Sequence, residues 1–152
     1  MLPRLDIPTR RKHSDMRTLK PDLYTTPESP KSVPELRGGR CRCGYVFFPM
    51  QSYGCEKCGL TGEAVMPTLL RTEGSLTASA RVLMHAAKDR TPPFVVVAVR
   101  LDAGPVVRSL LDRDRAEQLP IGTRMQGLLT EVGKADDGEV IVDLRFTPVP
   151  SA

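Results

Sequence analysis

The sequence predicts a mainly β protein, in which a small zinc ribbon precedes a Greek-key barrel. Four cysteines fall within eighteen residues of one another, and short runs of alternating apolar and polar residues follow them. Six of the fourteen prolines lie in residues 1–36 and exclude a long helix there. The 152 residues are therefore predicted to form three parts: 1–36, 37–62 and 63–152.

The first part, residues 1–36, is interpreted as either a mobile tail or an extended arm that orders against a partner. Its proline content favours the tail. The segment also contains a few apolar residues that could anchor it, among them Leu19, Leu23 and Tyr24. The extended arm therefore stays the alternative. Ser14–Leu19 is the only window compatible with a helix, and it is short.

The second part carries the cysteines as Cys41-x-Cys43 and Cys55-x2-Cys58, and a glycine follows each pair. Tetrahedral zinc needs two short loops that each offer two thiolates to one point, and glycine permits the turn after the second sulfur. A unit this small buries too little core to fold alone. The pattern predicts one structural Zn²⁺ on all four cysteines. Free buried thiols or a catalytic thiol pair are the alternative.

Aromatic residues stand between the two cysteine pairs, and arginines flank them. One or two aromatics fill the core of such a ribbon, which is the interpretation for Phe47 or Phe48, and some of the others face outward or against the barrel. Exposed aromatics beside arginines are typical of a protein interface. The candidate interface residues are Arg42, Tyr45, Phe47, Phe48 and Tyr53. Arg42 and Lys57 are either contacts to a partner or a phosphate, or solvated charges.

The third part begins with two predicted strands and a hairpin partner. Ser75–Ala87 alternates with a period of two, although Leu76, Ala80 and Leu83 are also spaced as on a helix. Its Ser and Thr content favours the strand. The nearly continuous β-branched run Phe94–Leu101 predicts a central strand. A turn then leads into Val106–Leu111 as its hairpin partner.

The remaining pattern completes a small barrel. Arg113–Leu119 predicts a short helix after Asp112 as N-cap. Met125–Val132 and Val140–Phe146 predict two further strands around the turn Asp137-Gly138. Five or six strands with one short helix are typical of an oligonucleotide/oligosaccharide-binding (OB) barrel, and a two-sheet sandwich is the alternative.

Charge and composition narrow the range of possible functions. The net charge is +4, but residues 63–152 hold eleven basic residues against twelve acidic ones, a sum of −1. There is no apolar run of eighteen residues and no apolar signal core, so we expect a cytoplasmic protein without a membrane partner. With only His13 and His85 as histidines, and all cysteines assigned to metal, the chain lacks the usual parts of an enzyme acting alone.

Four stretches resemble one known family. They are GGRCRCGYVFFP, GCEKCG, TPPFVVVAVRLDAGP and LPIGTRM, which span roughly residues 37–146. The resemblance is to domain-of-unknown-function family thirty-five, whose members join a rubredoxin-like zinc ribbon to an OB fold. Two features depart from that pattern: the first pair is Cys-x-Cys, and the region before the ribbon is rich in proline where many members carry amphipathic helices.

The resemblance implies a non-catalytic subunit of a thiolase-type complex acting on acyl-CoA in thiolysis, acyl transfer or aldol cleavage. It implies that the ribbon docks on the thiolase-like subunit and that the OB barrel lies close to the CoA channel. The chain looks most like the bacterial subgroup found with aromatic or alicyclic acyl-CoA degradation, such as the final thiolase step of anaerobic toluene breakdown.

A protein that binds single-stranded nucleic acid is the main alternative, because ribbons and OB folds both serve there. Such a barrel needs aromatic stacking platforms in a basic groove. The predicted barrel offers only Phe94 and Phe146 as aromatics, and its net charge is negative. Composition therefore disfavours a nucleic-acid partner. An autonomous metalloenzyme is a weaker alternative, because no histidine lies near the cysteines.

Overall fold

A computed structural model describes residues 16–26, 33–112 and 119–150. The predicted fold class is confirmed: these residues are mainly β, with a closed five-stranded barrel and a cluster of four cysteines. They include one 3₁₀ turn at Gly62–Ala64 and no α-helix. The strands are β1 (Met16–Thr18), β2 (Glu35–Cys41), β3 (Val46–Phe47), β4 (Val65–Arg71), β5 (Gly74–Val82), β6 (Phe94–Leu101), β7 (Val106–Leu111), β8 (Arg124–Lys134) and β9 (Val140–Pro148).

Strands β5 to β9 form the barrel. Their order is β9-β7-β6-β5-β8, and the pairing of β8 with β9 closes the ring. All neighbours are antiparallel except β7 and β9, which run parallel. This is a small Greek-key barrel of the OB type, and its closure excludes the two-sheet sandwich.

The predicted strand bounds agree with the structure where buried side chains produce the apolar pattern. The runs predicted as strands at Phe94–Leu101 and Val106–Leu111 have those bounds in the structure. The prediction of a strand to Ala87 was too long, because β5 ends at Val82. Beyond it Leu83 and Met84 are 68% and 89% exposed, so the apolar position Met84 that continued the predicted alternation does not lie on a buried face. Of the predicted helix Arg113–Leu119, residues 113–118 lie outside the described residues.

A second sheet of three strands, in the order β3-β2-β4, carries the cysteine region. β4 pairs with β2 along its whole length, from Glu35 opposite Arg71 to Cys41 opposite Val65. Strand pairing therefore groups β4 with the ribbon, and the barrel strands begin at Gly74. One cluster of buried side chains joins this sheet to the barrel; it includes Leu36, Leu70, Leu101, Met125 and Phe146.

The segment before the sheet lies along the barrel. β1 pairs in parallel with β9, with Met16 opposite Val140. Tyr24 is 2% exposed, and its hydroxyl donates a hydrogen bond of 2.7 Å to the Asp143 carboxylate. Over residues 16–26 the segment is therefore extended and packs on the chain's own barrel, whereas the predicted arm was to order against a partner. Of its helix-compatible window, Met16–Thr18 form strand β1. Within the described part of the chain, no helix has the length and apolarity to span a membrane.

Candidate metal centre

Two tight turns present the cysteines. Cys41 is the last residue of β2, and the Gly44 amide donates a hydrogen bond of 2.9 Å to its carbonyl. The Gly59 amide donates in the same way to the Cys55 carbonyl at 2.8 Å. Both glycines have positive φ, 95° and 78°, which residues with a Cβ rarely adopt. The glycine after each cysteine pair therefore bonds back to the first cysteine of its pair, over three residues at Gly44 and over four at Gly59.

The four sulfur atoms lie at one point. They are all within 4.8 Å of one another, with Sγ–Sγ distances of 3.6 Å for Cys41–Cys58 and 3.8 Å for Cys43–Cys55. A tetrahedral site with Zn–S bonds of about 2.3 Å has sulfurs about 3.8 Å apart. All four cysteines are free thiols; Cys41 and Cys55 are buried, and the other two are exposed. The residues present fit a tetrahedral metal ion held by four thiolates.

The acidity of the thiols explains why such a cluster needs a cation. Burial raises the pKa of Cys55, but hydrogen bonds from the Cys58 and Lys57 amides outweigh it and lower that pKa to about 7. At Cys58 the Leu60 amide lowers the pKa, but desolvation of the sulfur within the cluster and hydrogen bonds with the three neighbouring sulfurs outweigh it and raise the pKa to about 12, although the residue as a whole is exposed. Four thiolates this close together are stable only around a positive charge.

The cysteine turns rest on a small core of their own. Cys41, Cys55 and Val65 surround Phe47, which is 6% exposed. The Phe47 ring lies against Gly39, where any side chain would collide with it. This core contains few large side chains, so a metal ion held by the four cysteines would supply much of the order of the two turns.

The predicted interface residues do not all share one environment. Phe47 is buried, so it belongs to the ribbon's own core and is not accessible to a partner. Phe48 is half-buried against the barrel core. Tyr45 is half-buried, and its hydroxyl donates a hydrogen bond to Glu56, which links the two turns. Tyr53 is 90% exposed, and Arg42 is exposed as well.

A cleft in the barrel was not predicted from the sequence. It contains Arg81, Arg90 and Arg145, which lie on β5, on the β5–β6 connection and on β9. The alternation along β9 predicts an outward, solvated Arg145, whereas its side chain is only 16% exposed. Because these arginines are far apart along the chain, no local sequence pattern predicts that they lie close together.

The fold and the site together define the class of protein: a closed β-barrel joined to a candidate four-thiolate metal centre. A comparison with protein-family models finds no match. Among solved structures, the chain is similar to one described as an Ltp2-ChsH2(DUF35) aldolase, with a TM-score of 0.57 and 19% identity. The match covers 75% of this chain and 84% of that chain. At this identity, the likeness shows a shared fold.

Proposed function

We propose that this chain is a non-catalytic, zinc-binding accessory subunit of a thiolase-type complex that acts on acyl-CoA. One observation carries the proposal: a four-cysteine cluster is joined to a barrel, and the chain shares its fold with a solved structure. That structure is described as an aldolase, and its description names domain-of-unknown-function family thirty-five. Within this proposal, the predicted ribbon 37–62, extended through its pairing with β4 to Arg71, is the docking unit. The barrel, whose strands begin at Gly74 within the predicted 63–152, lies beside the CoA channel. The reaction is thiolysis, acyl transfer or aldol cleavage, with aromatic acyl-CoA as the favoured substrate class.

The proposed metal is one structural Zn²⁺ per chain, bound by Cys41, Cys43, Cys55 and Cys58. Tetrahedral sites of four sulfurs suit zinc or iron. Zinc is the proposed ion because a closed set of four thiolates is its usual structural site. The ion supplies order to the ribbon and leaves no open coordination position for a substrate. A reducing cytoplasm is the compartment that keeps such thiols available.

The lack of catalytic parts supports an accessory role. Thiolase chemistry needs a nucleophilic thiol beside a general base. The proposed metal occupies all four thiols. His85 forms an exposed pair with Asp89 at 3.0 Å, far along the chain from the cysteines. We therefore assign the reaction to the partner subunit.

Exposed apolar side chains on and beside the ribbon support a docking surface there. Tyr53, Leu60, Met66 and Leu69 are 90%, 42%, 61% and 50% exposed, respectively. Contiguous patches of exposed apolar side chains mark interaction sites, and Tyr53, the most exposed of these four, is the proposed centre of such a patch. Arg42 adds a charge suited to an acidic partner surface. The proposed interface comprises Arg42, Tyr45, Phe48 and Tyr53, together with the exposed side chains of β4.

Affinity capture of the tagged chain from its native organism tests the proposal. We expect a larger, thiolase-like chain to elute in a fixed ratio, as identified by mass spectrometry. The captured complex should act on acyl-CoA, and the purified chain alone should not. Recovery of a lone monomer at native abundance would contradict the proposal. Salt-dependent retention on single-stranded DNA without such a partner would favour the nucleic-acid alternative.

A pair of matched variants tests the docking surface. Tyr53→Ala removes the most exposed aromatic of the ribbon, and Ile121→Ala removes an apolar side chain that is 67% exposed on the barrel side of the molecule. We expect Tyr53→Ala to weaken capture of the partner about tenfold or more, as truncation of an interface aromatic does. Ile121→Ala should leave capture unchanged. Equal capture by both variants would exclude Tyr53 from the interface.

A further inference from the structure

The barrel contains a second site that the cysteine centre does not explain. It is a cleft of about 270 Å³ to which every barrel strand contributes a residue. Arg81, Arg90 and Arg145 line it, and Asp112 and Glu131 are the carboxylates among its lining residues. Its apolar wall consists of Pro93, Phe94, Val95, Leu110, Leu111 and Val132. The volume is near the lower end for a small-molecule site, with room for a charged group and a small apolar one.

The three arginines have unused hydrogen-bonding capacity. Arg145 approaches Asp143 only to 3.9 Å, and that carboxylate already accepts hydrogen bonds from the Tyr24 hydroxyl and the Leu144 amide. Arg90 is likewise 3.9 Å from Asp89. Within residues 16–26, 33–112 and 119–150, Arg81 has no ion pair. By contrast, Arg124 forms a two-pronged pair with Asp102 at 2.8 and 2.6 Å on the surface.

Arg145 is costly to hold in this position without a ligand. Its side chain is 16% exposed, and burial lowers the pKa of its guanidinium. The Asp143 charge opposes the shift, the neighbouring Arg90 charge adds to it, and Tyr24 and Asp112 oppose it more weakly. A buried guanidinium is normally paired with hydrogen-bonded acceptors. The cleft therefore holds a positive charge for which a bound anion would supply acceptors.

Thr130 gives an independent indication of a ligand. It lies on β8, lines the cleft and is nine-tenths buried. Its Oγ1 has no hydrogen-bond partner among the described residues. Because a buried hydroxyl without a partner destabilises a fold, its presence here needs a reason. A ligand oxygen in the cleft would accept the hydrogen bond that Thr130 offers.

We propose that this cleft binds a phosphate monoester that carries a small apolar group. Arginine forks match phosphate oxygens in geometry, and the three guanidinium groups of the lining exceed its two carboxylates, Asp112 and Glu131, by one positive charge. The Thr130 hydroxyl donates to a phosphate oxygen. Phe94 and its apolar neighbours contact the substituent, while Arg90 lies over the Phe94 ring at 5.1 Å. The inference stands whether or not the chain joins a thiolase-type complex.

Titration of the zinc-loaded full chain with phenyl phosphate tests the site. We expect saturable NMR shift changes at Thr130 and at its cleft neighbours, and weaker binding of both inorganic phosphate and benzoate. Tighter binding of benzoate would overturn phosphate as the ligand group, and tighter binding of inorganic phosphate would overturn the apolar substituent. The absence of any saturable change at the cleft would overturn the site itself.

Three variants locate the binding. Arg81→Gln changes an exposed arginine of the cleft and should weaken phenyl phosphate binding about tenfold, the loss of one charged hydrogen bond. Arg108→Gln changes an exposed arginine outside the cleft and should leave binding unchanged. Thr130→Val keeps the side-chain shape but removes the hydroxyl. It should raise the melting temperature of the free protein by about 2–4 °C and weaken binding.

Equal binding by Arg81→Gln and the unaltered chain would contradict the site. So would a Thr130→Val protein that melts at a lower temperature, because that result would mean that the hydroxyl already has a partner inside the fold.

Discussion

The cysteine ribbon and the barrel achieve order by different means. The barrel shares in a core of twelve buried apolar side chains that extends into β2 and β4. Around the cysteines the buried cluster has four members, two of which are the thiols Cys41 and Cys55 themselves. A large core orders a fold without help, whereas a small one needs a cross-link or a metal. The comparison predicts that removal of the metal unfolds the cysteine turns of the ribbon and leaves the barrel folded.

Removal of one metal ligand is the largest expected effect. Cys41→Ser should abolish metal binding, because one weak ligand disrupts a four-thiolate site whose binding energy is on the order of 10 kcal/mol. We expect amide NMR signals from residues 41–58 to collapse while barrel signals keep their dispersion. Ser52→Ala, in an exposed position of the same loop, is the control and should leave both sets intact. Collapse of the barrel signals as well would show that the two regions depend on one metal.

A core substitution in the barrel is the reverse experiment. Phe146 is 0% exposed, so Phe146→Ala should lower the free energy of unfolding by about 3–5 kcal/mol. Denaturant unfolding measures the loss. The folded variant should keep its full metal content, since Phe146 and the cysteines belong to separate buried clusters. Loss of metal from the folded variant would mean that barrel packing also holds the cysteine turns in place.

The contact between the arm and the barrel ranks next. Tyr24→Phe removes the hydrogen bond to Asp143 and should cost about 1–2 kcal/mol in unfolding free energy. Burial raises the pKa of Tyr24 in the folded chain, and the Asp143 hydrogen bond raises it further. The fold therefore favours the neutral phenol, and this stability is present below pH of about 10 and lost as pH rises above it. Unfolding measured between neutral and alkaline pH should show a larger loss in the unaltered chain than in Tyr24→Phe, which retains only the smaller contribution of Tyr45, whose pKa the Glu56 hydrogen bond raises.

The surface pair of Asp102 and Arg124 has the smallest expected effect. The hydrogen bonds from Arg124 lower the pKa of Asp102 in the folded chain. Stability from this pair is present above the ordinary pKa of aspartate, about 4, and is lost as pH falls below it. Both side chains are more than half exposed, so Asp102→Asn should change the melting temperature least of the four variants. A change in melting temperature larger than that of Tyr24→Phe would contradict this ranking.

The structural features that we predicted from the sequence are those with a local pattern along the chain. Cysteine spacing is a local signal, and the structure brings all four sulfurs together. The runs Phe94–Leu101 and Val106–Leu111 are strands with the predicted bounds because burial makes their composition distinctive. The end of β5 was misjudged, because exposed Met84 continues the apolar alternation past Val82, where the strand ends.

Features that depend on tertiary contacts had no such signal. Asp143 and Arg145 occupy the positions on β9 that alternation assigns to solvent, yet their side chains are 10% and 16% exposed. The arm, through Tyr24, covers Asp143, and the cleft encloses Arg145. Neither contact follows from a pattern within one strand. The proline content of the arm likewise gave no sign that Met16–Thr18 would pair with β9.

Native mass spectrometry of the purified chain tests the central claim most directly, because it reports metal identity and stoichiometry in one spectrum. We predict one zinc ion per chain, absent from Cys41→Ser and retained in Ser52→Ala. A folded chain that carries no stoichiometric metal, with all four thiols open to an alkylating reagent, would contradict the claim.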